Sequence, residues 1–202
     1  MPETSPATGD DPAVGRRRGS YAKGVARRQE ILDRALEVFQ DRGDEGTSLR
    51  RIAETIGVSH ATLLHYFASR EELLLAVYAH AEARRGMDDE LGPVGTMVDA
   101  ATKNAHVPGM VQLYSTLLAG SLQGEESPSR DFFTARFAEV RSYVADMVRA
   151  RQAEGEIRAD LDADGIASLL IAASDGLQIQ WLLEPGIDLE RTLEMFGPML
   201  RP

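Results

Sequence analysis

Residues 47–72 read TSLRRIAETIGVSHATLLHYFASREE, and this stretch predicts two short helices joined by a tight turn, with a third helix beginning where it ends. Four apolar side chains recur at helical spacing in the first helix and predict one buried face: Leu49, Ile52, Ala53 and Ile56. Ser48, Ser59 and Ser69 are candidate N-caps of the three helices, because a serine hydroxyl accepts hydrogen bonds from the unpaired N–H groups of a first turn. Gly57 supplies the backbone freedom that a sharp end needs, so the break between the first two helices is a turn.

The second helix of this stretch has two different faces. Leu63 and Phe67 are four residues apart and therefore share one side, which we expect to be buried. The opposite side carries a short and uncharged set of residues: His60, Ala61, Leu64 and His65. Such a face fits the floor of the DNA major groove, where base edges offer acceptors, donors and the thymine methyl group.

The run from Ile52 to Leu73, IAETIGVSHATLLHYFASREEL, resembles the helix-turn-helix signature of the TetR family of bacterial transcriptional regulators. The resemblance rests on Gly-Val-Ser, Thr-Leu, His-Tyr-Phe and Ser-Arg-Glu in that order. It implies an all-α fold of about nine helices, with an N-terminal three-helix DNA-binding head and a C-terminal helical body for ligand binding and dimerisation. It also implies that the last two helices pair with those of a second subunit in a four-helix bundle.

Carried over position by position, the resemblance assigns roles to nine residues. Base contacts fall to Arg50, His60, Ala61 and Leu64. Contacts with the DNA backbone fall to Ser48, Thr62, His65, Tyr66 and Arg70. An arginine can bind guanine with two hydrogen bonds, a histidine can bond a base edge and a leucine can touch a thymine methyl group. Leu64 departs from the family, where tyrosine is usual, and Tyr66 can instead be a core residue with its hydroxyl at the surface.

Composition limits the class of protein. The chain has 202 residues, 43% of them apolar and few aromatic, which favours an all-α protein with a sizeable core. It contains no cysteine, which excludes disulfides and thiol catalysis and fits the cytoplasm. The opening MPETSPATGDDPAV has no apolar run, so we expect no secretory signal. No stretch is expected to reach the roughly 20 apolar residues that a membrane span needs.

Charge is unevenly distributed along the chain. The net charge is −10, yet residues 16–70 carry 11 Lys and Arg against 7 Asp and Glu. Residues 71–202 carry 11 Lys and Arg against 22 Asp and Glu. A mildly basic head on an acidic body would orient the head toward phosphates, although ordinary variation in surface charge is the alternative.

Three segments are predicted. Residues 1–22 read as a disordered basic arm, in which Arg16, Arg17 and Arg18 either reach DNA or form a solubilising tail. Residues 23–70 form the helix-turn-helix domain, and residues 71–202 form the ligand-binding and dimerisation domain. Hydrophobic periodicity predicts further helices at 24–42, 70–85, 108–123, 128–154 and 162–183, a short or irregular one at 92–105 and a last one after Asp188.

A set of body side chains can line an apolar cavity with a few polar groups, which is the usual composition of a small-molecule site: Met97, Met110, Tyr114, Phe133, Phe137, Gln178 and Trp181. Plain packing in the core is the competing interpretation for each residue. The expectation of an enclosed cavity comes from the resemblance, not from the spacing.

The leading hypothesis is a cytoplasmic homodimer that represses transcription and leaves its double-stranded operator DNA when a small, largely apolar effector enters the body. A regulator of the same fold that acts without an effector, or that activates, is the alternative. A pure interaction module would explain the helices but not the motif.

An enzyme is not expected, because the sequence shows no spaced nucleophile, base and orienter and no phosphate-binding glycine loop after a strand. We expect no cofactor. Metal binding has little support, since His60 and His65 point to different sides of one helix and the other two histidines are isolated.

Overall fold

The computed structural model describes residues 12–42, 49–86, 89–123 and 127–202, and all regular structure within these ranges is helical. The prediction of an all-α fold is confirmed. A short 3₁₀ turn covers Asp89–Leu91. The helices are α1 (Pro12–Arg42), α2 (Leu49–Thr55), α3 (His60–Tyr66), α4 (Arg70–Arg85), α5 (Gly92–Ala105), α6 (Pro108–Ser121), α7 (Pro128–Ala153), α8 (Ala163–Leu183), α9 (Leu189–Glu194) and α10 (Phe196–Leu200).

Helix α1 is longer than the sequence predicted. It begins at Pro12, so residues 12–22, predicted to be disordered, belong to a continuous helix of 31 residues. Proline suits a first helical position because the missing N–H would have no partner there. Once the packed half of the helix is formed, each added residue gains a hydrogen bond without a new nucleation step, and alanine and arginine propagate helices well. The remainder of the predicted arm, residues 1–11, lies outside the described residues.

The head and the body share one hydrophobic core. Helix α1 packs on α4 and α6, and α4 packs on α6 and α7. The shared core contains buried side chains of the head and of the body: Ile31, Ala35, Phe39, Ile52, Leu63, Phe67, Leu73, Leu74, Val77, Met110, Leu113, Tyr114 and Phe133. Since no gap in packing separates the two parts, displacement of a body helix can reach the head through direct contacts.

Two body elements differ from the prediction. Residues 92–105, expected to be short or irregular, form the regular α5, which packs on α7, α8 and α9. The predicted last helix begins as expected, with the Asp188 carboxylate accepting from the N–H of Arg191 at 3.0 Å. It is interrupted at Met195, so α9 and α10 are two parts of one broken helix. The break follows from Pro198, which has no N–H to donate to the carbonyl of Glu194.

Helix α8 leaves much of its apolar surface uncovered. Leu169 is 58% exposed, Ile179 43% and Leu183 84%. By length and composition this helix could cross a membrane, so the expectation that no stretch approaches a membrane span was wrong. Small residues such as Ala172 and Gly176 also belong to this helix and add no polar group to it. Met195 and Met199, which follow on the broken helix, are also more than half exposed.

Replacing Gly57 by alanine is expected to destabilise the protein by about 1 kcal/mol, because Gly57 has a φ of 70° that alanine adopts only with strain. A Cβ there would meet nothing closer than Arg34 at 3.8 Å, so the cost comes from the backbone and not from a clash. Gly120→Ala is the matched control, since Gly120 lies in α6 with open space around it and alanine favours helix. Chemical denaturation measures the free energy of unfolding of both variants, and an equal change for Gly57→Ala and Gly120→Ala would contradict this account.

Candidate functional site

Helices α2 and α3 form a helix-turn-helix closed by local hydrogen bonds. The N–H of Val58 donates to the carbonyl of Ala53 at 2.9 Å, which ends α2 and turns the chain. The N–H of Thr62 donates to the hydroxyl of Ser59 at 3.0 Å, so the predicted cap of α3 is confirmed. The predicted cap of α4 is confirmed in the same way, because the hydroxyl of Ser69 accepts from the backbone of α4.

The orientation of α3 is fixed from the buried side. Leu63 is completely buried and Phe67 is 1% exposed. The guanidinium of Arg28 lies 4.9 Å from the ring centroid of Phe67, and Arg34 donates to the carbonyl of Ile56 in the turn at 3.1 Å. Both arginines belong to α1. Helix α1 therefore contacts both the turn between α2 and α3 and Phe67, the residue that ends α3.

Three of the residues predicted to contact bases lie together on the exposed side of α3. His60 and Ala61 are exposed, and Leu64 is 45% exposed although it is apolar. Arg50 lies on α2 with its side chain 80% exposed, and its Nε donates to Glu54 at 3.2 Å. An ion pair this exposed contributes little to stability, so Arg50 can exchange Glu54 for another acceptor.

The residues predicted to contact the DNA backbone are placed less uniformly. His65 is exposed, and its ring meets that of Tyr66 edge-on at 5.0 Å between centroids. Tyr66 is half-buried against the shared core, which agrees with the alternative interpretation that it is a core residue. Thr62 is half-buried and its hydroxyl is hydrogen-bonded to that of the N-cap serine at 2.7 Å. Arg70 is the first residue of α4, and Ser48 lies outside the described residues.

Helix α4 is tied to both the head and the body by polar contacts. In the head, Asp33 of α1 accepts from Arg84 at 2.7 Å and is hydrogen-bonded to His80 at 2.8 Å. In the body, Ser129 of α7 is 1% exposed and donates to Glu71 at 2.6 Å. The two ends of α4 are thereby fixed to different parts of the molecule.

A cavity of about 500 Å³ lies among α4, α5, α6, α7 and α8. Four of the seven side chains predicted to line a pocket do line it: Met97, Met110, Tyr114 and Gln178. Phe133 does not, because it is buried in an aromatic cluster with Tyr78 and Phe132. Phe137 lies under the guanidinium of Arg136, outside the lining, and Trp181 lies near the end of α8, also outside it.

The cavity also contains charged side chains that sequence reasoning missed. Arg136 of α7 forms a close pair with Glu82 of α4, with N–O distances of 2.7 to 2.9 Å. The hydroxyl of Tyr78 donates to the same carboxylate at 2.8 Å, and that of Tyr114 donates to Asp175 at 2.8 Å. One signal was available, since Asp175 is an acidic residue within the otherwise apolar run of α8.

The buried setting changes the proton affinity of these groups. Burial raises the pKa of Asp175, while the Tyr114 hydroxyl and the charge of Arg136 oppose that change. Burial also raises the pKa values of Tyr78 and Tyr114, so both remain neutral hydrogen-bond donors at physiological pH. Burial lowers the pKa of Arg136, but the Glu82 carboxylate outweighs this and the net pKa is raised. The cavity therefore holds a permanent cation, Arg136, at its wall.

Family profiles match both parts of the chain. The profile of bacterial regulatory proteins of the tetR family matches residues 31–77, and that of the C-terminal region of BetI-type transcriptional repressors matches residues 125–200. The HTH-type transcriptional repressor AcnR of Corynebacterium diphtheriae is 32% identical over 182 residues, which cover 87% of this chain and 92% of AcnR. The chain belongs to the TetR family. It is therefore a DNA-binding transcriptional regulator and not an enzyme.

Solved structures of TetR-family proteins agree with this fold. A TetR-family transcriptional regulator from Rhodococcus sp. superposes with a TM-score of 0.65 at 25% identity, covering 84% of this chain and 94% of that one. FadR of Thermus thermophilus, solved in complex with lauroyl-CoA, superposes with a TM-score of 0.60 at 22% identity, covering 87% of this chain and 96% of that one. The second likeness shows the fold alone.

Glu82→Leu is expected to lower the free energy of unfolding by about 3 kcal/mol, because it leaves Arg136 largely buried without its carboxylate. The double variant with Arg136→Met should recover much of this loss, since no unpaired charge remains. Chemical denaturation of the two single variants and the double variant measures the coupling. Asp160→Ala is the control, because it breaks the exposed pair with Arg158 and should change little. If the losses in the free energy of unfolding of the two single variants simply add in the double variant, the interaction between Glu82 and Arg136 is not the source of the loss.

Proposed function

We propose that this TetR-family protein is a cytoplasmic homodimeric repressor that a small molecule releases from its operator. The observation that supports this most directly is the position of α4, which contributes Leu73 and Leu74 to the core that the head shares with the body and Glu82 to the wall of the cavity. A ligand that prefers one position of α4 would thereby prefer one position of the head.

The proposed DNA-reading surface is the exposed side of α3 together with Arg50 of α2. His60, Ala61 and Leu64 would contact base edges, and Arg50 would bind guanine. The proposed backbone contacts are made by three residues of α3, by the first residue of α4 and by Ser48, which lies outside the described residues: Thr62, His65, Tyr66 and Arg70 with Ser48. Exposure supports the base contacts and the role of His65, because Leu63 is buried and the exposed side of α3 lies opposite to it. Thr62, Tyr66 and Arg70 are half-buried.

The proposed dimer interface is the uncovered apolar surface of α8 with that of the broken helix α9–α10. Leu169 and Leu183 of α8 and Met195 and Met199 after it are each more than half exposed. Apolar surface of this extent is costly in water and is typical of an interface between subunits. A two-fold dimer places two α3 helices to read half-sites about 34 Å apart, one turn of DNA.

Arg50→Ala and His60→Ala are each expected to weaken binding to the operator about tenfold or more, through loss of a base contact. The measurement is a titration of the purified protein against DNA fragments from beside its own gene, repeated at several salt concentrations. Arg141→Ala is the matched control, because it removes an exposed arginine from the middle of α7, far along the chain from the head.

Specific binding retained by the Arg50→Ala, His60→Ala double variant would contradict the assignment of the reading surface. Binding equally weak for all fragments would contradict a specific operator near the gene. If DNA stays bound with every ligand that occupies the cavity, the protein is a regulator without an effector.

Leu183→Glu is expected to convert the dimer into a monomer and to weaken operator binding by about two orders of magnitude, because the two heads no longer bind as one unit. Light scattering measures the mass, and the operator titration measures the affinity. Leu122→Glu is the control, since Leu122 is also an exposed leucine, at 75%, but lies at the end of α6. A Leu183→Glu protein that remains dimeric would rule out this part of α8 as the interface.

A further inference from the structure

Asp175 is an incompletely satisfied carboxylate in the wall of the cavity. It lies on α8 between Ser174, which is 5% exposed, and the apolar end of that helix. Among the described residues, its one hydrogen-bond donor is the hydroxyl of Tyr114, which bonds Oδ2 at 2.8 Å. A carboxylate accepts several hydrogen bonds, and Asp175 is half-buried with one donor, so its second oxygen has capacity for a ligand that enters the cavity.

Several other polar groups of the cavity are already engaged with one another. Glu82 and Arg136 neutralise each other through several close contacts. The Gln178 carbonyl accepts from Asn104, and its amide donates to Ser174. Glu139 of the lining is exposed to solvent, so Asp175 is the half-buried carboxylate of the wall that keeps unused capacity for hydrogen bonding.

The charge balance of the lining favours a cation over an anion. Apart from the Glu82–Arg136 pair, the charged groups that line the cavity are Asp175, Glu139 and Arg85, which together leave one negative charge. The aromatic wall also accommodates positive charge, because the guanidinium of Arg136 already lies 5.3 Å from the ring centroid of Tyr114. An anionic ligand would have to compete with Glu82 for Arg136.

We propose that the cavity binds a protonated organic amine, whose ammonium group donates a hydrogen bond to Asp175 while its hydrocarbon part packs against Met97, Met110 and Ile171. This inference names the chemical class of the effector and rests on the proposed role of the cavity. The volume of about 500 Å³ lies within the range of ordinary small-molecule sites. An amine fits both halves of the lining, one apolar and one acidic.

The test is calorimetric titration of the full-length protein without DNA. The probes are alkylammonium and phenylalkylammonium ions of about four to ten carbons, which the cavity volume admits, each compared with the alcohol and the carboxylate of the same shape. The amines should bind at least about tenfold more tightly than their alcohols, as expected for a charged hydrogen bond. The carboxylates should bind most weakly.

Asp175→Asn should remove the advantage of amines over alcohols while keeping an oxygen that can accept from Tyr114. Asp146→Asn is the charge-matched control, because Asp146 is 71% exposed on α7 and outside the cavity. Thermal unfolding checks that each variant is folded. If Asp175→Asn does not fold, the comparison of each amine with its alcohol on the parent protein decides the question alone.

Two outcomes would overturn the inference: no amine binds better than its alcohol, or Asp175→Asn binds amines as tightly as the parent does. Neither depends on DNA. If either outcome is found and the protein still binds its operator specifically, the amine is rejected as the ligand and the proposed DNA-binding function stands. Amines that bind at Asp175 yet leave the operator complex unchanged would confirm the site and reject its role in release.

Discussion

Leu73, Leu74 and Val77 of α4 are almost completely buried in a core that also contains Phe39 of the head and Leu113 of the body. Each of these side chains contributes roughly 1.5–3 kcal/mol when it leaves water, so separating head from body at α4 would cost several such contributions. Close packing also resists small deformations, which means that α4 moves as a unit or not at all. The position of α3, the proposed reading helix, consequently depends on contacts outside the helix-turn-helix, including those that α4 makes around the cavity.

The polar groups around the cavity act differently from this apolar core. A largely buried ion pair such as Glu82–Arg136 contributes little net stability, because desolvation offsets the attraction between the charges, but it penalises any arrangement in which one partner is alone. The pair joins α4 to α7 and so favours one alignment of those helices. Asp175 on α8 forms no ion pair with a described residue, although the charge of Arg136 acts on it, and it has one hydroxyl donor, Tyr114. The first carboxylate thus restrains the fold, whereas the second remains available to a ligand.

Sequence predicted those features that depend on residues close together in the chain. The turn at Gly57, the caps at Ser59 and Ser69 and the buried pair on α3 follow from backbone preferences and helical periodicity, and all were found. The cavity depends on how five helices pack, which periodicity does not determine. An apolar side chain such as Phe133 can face a cavity or a neighbouring ring, and a charged one such as Glu82 looks like an ordinary surface residue until its partner on another helix is known.

The cavity lies between α4, which packs in the core shared with the head, and α8, which forms part of the proposed dimer interface. Glu82 belongs to α4 and Asp175 to α8, so a ligand bound between them would sense the distance of the head from the interface. In a dimer, that distance sets the separation of the two α3 helices, and a rigid operator tolerates only a narrow range of separations. A preference of about 1.4 kcal/mol by the ligand for one separation already changes operator affinity tenfold. Contacts of modest strength at Glu82 and Asp175 are therefore sufficient for regulation, without unfolding any part of the head.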